Sequence, residues 1–237
     1  MSKEATVFSS SIDRRLYTWG ALVAVVIVFA GFAKTYFLKA SFGAPELSTL
    51  VHAHGLVMTL WFLFFLMQVR LVAMRRTDLH RRAGVFGAVV AAAVLIVGTA
   101  TAITAAKLGH TPGPPPLIFL VIPLGDMLVF ALLVSTGLYY RTRSDIHRRL
   151  MLLSCVGMLT AAFARIPIDF IQAGGMPMFF GLTDLVALSC VTYDTVKHRR
   201  LHPAFGWGML LIVLSQPARL LLSGTPAWQQ FASWLVS

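Results

Sequence analysis

The chain has 237 residues, 57% of them hydrophobic and only 12% charged, with a formal net charge of +11 and a mean hydropathy of +0.78. Soluble domains are nearer half apolar and a quarter charged. The balance therefore excludes an ordinary soluble enzyme and points to a polytopic membrane protein with no separate soluble domain. The positive charge does not signal nucleic acid, because it is laid out along the chain as a membrane would require.

Arg14, Arg15, Arg75, Arg76, Arg81 and Arg82 fall on one side of the implied bilayer, as do Arg148, Arg149, Arg199 and Arg200, together with Lys3, Arg70, Arg141, Arg143 and Lys197. Lys34, Lys39 and Lys107 lie near the opposite side, and Arg165 and Arg219 are left inside apolar segments. The positive-inside rule then places the N-terminus in the cytoplasm and, after seven crossings, the C-terminus outside. The apolar run after Arg15 is too long for a signal-peptide core and ends in no small-residue cleavage site, so it reads as the first span.

A spanning helix needs about 20 apolar residues, and the runs that qualify are roughly 17–38, 49–74, 83–106, 116–140, 149–172, 177–195 and 204–223. The first closes with Lys34, Tyr36 and Lys39, and the second opens with His52 and His54 and continues through Trp61 and Gln68. Between the second and third lies Thr77-Asp78-Leu79-His80-Arg81-Arg82, which recurs between the fourth and fifth as Ser144-Asp145-Ile146-His147-Arg148-Arg149. Arg199-Arg200-Leu201-His202-Pro203 is a looser third copy. The fold class expected is all-α: a seven-transmembrane-helix bundle of one lone helix and three parallel-repeated hairpins. Each turn is expected to cap its second helix through Thr, Ser or Asp, with the arginine pair snorkelling to lipid phosphates. A functional alternative gathers His80, His147 and His202 into one metal or proton site.

The other connections are richer in proline and glycine. His110 to Pro116 is a stiff, extended connector, and Gly174-Gly175-Met176-Pro177 is a tight turn. After Ser223, Thr225-Pro226 starts a short interfacial helix near 226–236 carrying Trp228, Phe231 and Trp234. Cys155 and Cys190 form no Cys-x-x-Cys pair and read as small buried hydrophobes.

Ionisable groups inside spans are costly and mark functional sites by default. Counting rise per residue puts His54, Asp126, Arg165, Asp169, Asp184, Gln216 and Arg219 all in the outer half. They are expected to line one outward-opening pocket with Lys34, Tyr36, His52 and Trp61. His52 and His54 are about 200° apart around a helix, whereas His54, Trp61 and Gln68 share a face, so His54 is the inward one. Arg165 and Asp169 stand at i, i+4 and are positioned to neutralise each other. Pro167 and Pro217 beside Arg165 and Arg219 predict kinks that free backbone carbonyls. The bland alternative is a set of ion pairs that fixes helix register.

No mid-membrane lysine offers a retinal attachment point, and no Walker, dinucleotide, His-Glu-x-x-His or Gly-x-Ser-x-Gly motif is present. Phe32-Ala33-Lys34-Thr35-Tyr36-Phe37-Leu38-Lys39, then Val51-His52-Ala53-His54-Gly55, Trp61, Gln68 and Asp78-Leu79-His80-Arg81-Arg82-x-Gly84 resemble a family of uncharacterised bacterial multipass membrane proteins. Tyr193-Asp194 and His202-Pro203 extend the resemblance more loosely. It implies the bacterial inner membrane as location. The chemistry stays open between three classes. The leading one is a small-ligand or metal-binding protein, extending to an enzyme with His54, Asp126 and Asp184 around divalent zinc or iron. The second is a redox subunit holding haem b or a quinone, and the third a proton-coupled carrier or sensor. The partners expected are the lipid bilayer and a small molecule.

Overall fold

Each spanning segment expected from hydropathy coincides with a long apolar helix in the computed structural model, which describes residues 11–237, although the fifth is interrupted. Lys3, counted above among the basic residues, lies outside that range. The elements are α1 (Ser11–Phe32), α2 (Thr49–Ala73), α3 (Thr77–Lys107), α4 (Pro116–Tyr139), α5 (Ser144–Phe163), α6 (Gly175–His198), α7 (Pro203–Ser223) and α8 (Pro226–Val236). Among the described residues there is no strand. The first seven are long and apolar enough to cross a membrane, so the protein is an integral membrane protein with an all-α, seven-helix bundle.

α5 is the hub. It packs against α1, α4, α6 and α7, while α2 and α3 close the ring between α1 and α4. Its span is 61% buried, against 28–44% for the other six. That position also explains a glycine on α1, which comes so near that a Cβ on Gly31 would run into the backbone carbonyl of Ala162. Small residues that let helix backbones approach are the usual means of packing where lipid tails give no hydrophobic driving force.

α5 is also where the structure departs most from the sequence reading, which has one helix over 149–172. Regular α-helix stops at Val156, resumes for Thr160–Phe163, and gives way at Pro167 to extended backbone at Ile168 and a separate short turn, Asp169–Ala173. Pro167 cannot continue a helix and disfavours helical geometry in the residue before it. α1 ends differently: it widens from α into a π-helical turn at Ala33–Phe37.

The basic turns do not cap their helices as expected. Residues Arg76 and Arg143 occupy the N-cap positions of α3 and α5, without a side-chain cap bond. Asp78 and Asp145 sit instead in the first turn, where their charge complements the helix dipole. Only the third copy caps: His202 Nδ1 accepts from the Ala204 backbone N–H at 3.2 Å, followed by Pro203 at the first helical position. Arg75 and Arg199 adopt left-handed backbone, φ 61° and 52°, to turn the chain between helices.

α8 lies across the end opposite the basic turns and is anchored more firmly than an interfacial helix would be. Trp228 is buried and donates from Nε1 to the Leu117 carbonyl at 2.8 Å, while Trp234 stays exposed. Lys107 at the end of α3 reaches the Ser237 carbonyl at 2.7 Å.

Candidate functional site

The outer-half groups named from sequence divide into two clusters. The first is organised by α7 around its internal Pro217. Gln216 donates to Asp184 Oδ1 of α6 at 2.8 Å. Arg219, 7% exposed, ion-pairs with Asp126 of α4, donates to the Ile122 carbonyl at 3.2 Å and to Ser215 Oγ at 2.8 Å, and lies over the Phe180 ring. Room for the arginine comes from Gly125, where a Cβ would fall 2.3 Å from Arg219 Cδ. One stretch of α7 thus ties α4 and α6 together through two carboxylates, and each carboxylate is already answered.

The second cluster lies among α1, α2 and the broken end of α5. His54 is half-buried, its Nδ1 is shut off from solvent, and no hydrogen-bond partner reaches it. The Arg165 guanidinium stands within electrostatic reach of that ring. Arg165 itself rests over Phe32 at 4.8 Å and spends only Nη1, on the Ala161 carbonyl at 2.8 Å. The carbonyls freed by the break at Pro167 find a partner inside the loop, because Gln172 Nε2 donates to Ile166 at 2.8 Å and to Ala164 at 3.3 Å. Trp61, at 2% exposure, packs edge-on to Phe130 of α4 at 4.9 Å with its indole N–H unbonded.

Several expected members are elsewhere. His52 is exposed, and its carbonyl accepts from the Tyr36 hydroxyl at 3.2 Å, which closes the α1–α2 connection. Lys34 turns outward over Phe42, and Asp169 is exposed at the start of its short helix. No ion pair joins Arg165 to Asp169, because the break between them removes the i, i+4 relation that a continuous helix would supply. His54, Asp126 and Asp184 are not brought together. Among the described residues, no three His, Cys, Asp or Glu side chains stand close enough to hold a metal ion.

At the opposite, basic end the structure holds a polar network that the sequence reading gave to lipid. Arg149 is buried and grips Asp194 of α6 in a two-pronged pair, Nε to Oδ2 at 3.0 Å and Nη2 to Oδ1 at 2.8 Å. Its Nη1 donates to the Asp145 carbonyl at 2.7 Å, and its guanidinium lies over Phe205. The equivalent Arg82 of the first copy is exposed. The signal that could have found this pair was Asp194 itself, a lone acid near the end of an apolar span.

The turn histidines do not form one site. With its amide nitrogen turned toward α3, Gln68 donates to His80 Nδ1 at 2.6 Å. His147 Nδ1 hydrogen-bonds the Gly137 carbonyl at 2.8 Å. The two rings approach edge-to-face at 6.3 Å, while His202 meets Asp145 at 3.3 Å. Burial, reinforced by nearby Arg149, holds His202 below the ordinary histidine value against the opposing pull of Asp145.

Chemically, the second cluster offers hydrogen-bond donors and positive charge with no carboxylate committed to them. In the first, each carboxylate has one oxygen bonded, Asp126 to Arg219 and Asp184 to Gln216. No family model, curated protein or solved structure matches the chain.

Proposed function

We propose that this integral membrane protein binds a small anionic ligand in the half opposite its basic turns, between α2 and the broken end of α5, with Arg165 and His54 as the contacting groups. The observation that carries the reading is the division of partners. Asp126 and Asp184 are already bonded to Arg219 and Gln216. His54 Nδ1 has no partner, and Arg165 has a guanidinium edge to spare. A divalent cation needs free carboxylates or several imidazoles, whereas an unpaired guanidinium beside an unpaired imidazole suits a carboxylate or phosphate. The non-helical backbone at the same depth belongs where a membrane protein lines a polar cavity. The basic end faces the cytoplasm of a bacterial inner membrane under the positive-inside rule, which puts the ligand site on the periplasmic side.

The test is a thermal-stability screen of the purified full chain against small mono- and dicarboxylates, phosphate and divalent cations. At least one anion is expected to raise the melting temperature, through preferential binding to the folded state. Arg165→Gln and His54→Gln should each remove that shift while the unliganded melting temperature holds. A shift that survives both variants, or stabilisation by divalent cations alone, overturns the reading. Reporter fusions after Arg143 and at Ser237 check the orientation, and a periplasmic signal from the Arg143 fusion contradicts it.

A further inference from the structure

A cleft of about 610 Å³ opens at the basic end, between the ends of α4, α5 and α7, far from the His54–Arg165 cluster. Arg143 and Arg200 stand on its wall with Tyr140 and Trp207, and Leu201 and Ile146 supply apolar surface. We propose that this cleft is a binding site for the phosphate-bearing headgroup of an anionic glycerophospholipid, with Arg143 and Arg200 on the phosphate and the apolar wall along the upper acyl chain.

Charge and placement support this choice. Two guanidiniums face one carboxylate in the lining, Asp145, which meets His202 at 3.3 Å and lies within electrostatic reach of Arg143. Neither Arg143 nor Arg200 has a hydrogen bond or ion pair to an acid among the described residues, although Arg143 rests over the Tyr140 ring at 5.9 Å. The third cation nearby, Arg149, is saturated by Asp194 and forms part of the scaffold instead. The lining therefore keeps a net positive charge for an incoming anion, at a boundary where basic pockets between helices take acidic headgroups.

The surroundings of the cleft are those of a lipid contact. Trp207 is 71% exposed, Leu201 52% and the neighbouring Tyr139 77%. Tryptophan and tyrosine favour the headgroup level because the ring is apolar and one edge is polar. A soluble phosphate would gain the arginines but leave that apolar wall in water, so a molecule with both a phosphate and a chain fits better than phosphate alone.

The experiment uses the full chain in detergent, with its melting temperature followed as phosphatidylglycerol, phosphatidylcholine or sn-glycerol 3-phosphate is added. Phosphatidylglycerol should raise it most, and Arg143→Gln/Arg200→Gln should weaken the apparent affinity by about tenfold or more. Equal shifts from phosphatidylcholine, or a full shift from glycerol phosphate alone, overturn the proposal. Should the double variant be poorly folded, a second readout keeps the question decidable. Brominated phosphatidylglycerol should quench Trp207, isolated as the difference between the native chain and Trp207→Phe, more strongly than brominated phosphatidylcholine in nanodiscs of equal bromine content. Equal quenching by the two lipids contradicts an anion-selective site.

Discussion

At the scale of single residues, the arrangement turns on which polar groups already have partners. Arg219 reaches Asp126 only because position 125 has no side chain. Gly125→Ala should force the arginine aside, and crowding of this kind in a packed interior costs about 1–3 kcal/mol. Thermal unfolding of the variant checks this, and Gly125→Ala should cost much less in an Asp126→Leu/Arg219→Leu background, where the displaced arginine and its buried partner are both gone. His202 makes a second prediction, this one about pH. Its folded-state value lies below the ordinary histidine range, because burial and Arg149 outweigh Asp145. The unfolded chain therefore takes up the proton first as pH falls. Stability contributed by neutral His202 is fully present above about pH 6.5 and declines below it, levelling once the folded form is also protonated. Melting curves between about pH 7.5 and pH 5.5 should show the decline, and His202→Gln should make it shallower.

At the scale of elements, α5 carries both the tightest packing and the largest deviation from regular helix. Its first half is fixed by Arg149 on Asp194, and its second half is broken at Pro167 to place Arg165. Breaking one side of a buried ion pair leaves an uncompensated charge, worth about 3–5 kcal/mol, while replacing both partners with apolar residues is often nearly neutral. Arg149→Met and Asp194→Leu should each lower the unfolding free energy by about that amount. The double variant should lose much less than the sum, and a double-mutant cycle from chemical unfolding measures the difference. Asp194 flags an acid in need of a partner, but the sequence does not say which arginine answers it. The repeated Asp-x-His-Arg-Arg turn makes Arg82 and Arg149 look equivalent, and what separates them is that α5 sits at the centre of the bundle while α3 sits on its rim. Centrality is a property of the packing, and no local pattern encodes it. The caps failed to appear because Thr77 and Ser144 fall one residue inside their helices, where a hydroxyl is not placed to reach the orphan N–H groups as an N-cap side chain is.

At the scale of the whole molecule, the spans were legible because the membrane imposes one strong rule, that about 20 apolar residues must satisfy their own backbone. What could not be read was azimuth. His54, Asp126 and Asp184 were placed at one level, yet the two acids turn toward α7 while His54 stands near Arg165, on the α1–α2 side. Equal depth is not contact. Arg143 and Arg200 line the cleft at the basic end without a hydrogen bond to an acid among the described residues, and Arg165 at the other end spends only Nη1. These guanidiniums, rather than the bonded acids, carry both proposed ligand sites.

Calorimetric titration of one preparation with a small carboxylate, phosphate and zinc tests this most directly. The account predicts one anion site per chain whose affinity falls at least about tenfold in Arg165→Gln, the loss expected when a charge-assisted bond is removed, and no zinc site that depends on His54. Stoichiometric zinc binding abolished by His54→Gln or Asp126→Asn, with no anion bound, would contradict it.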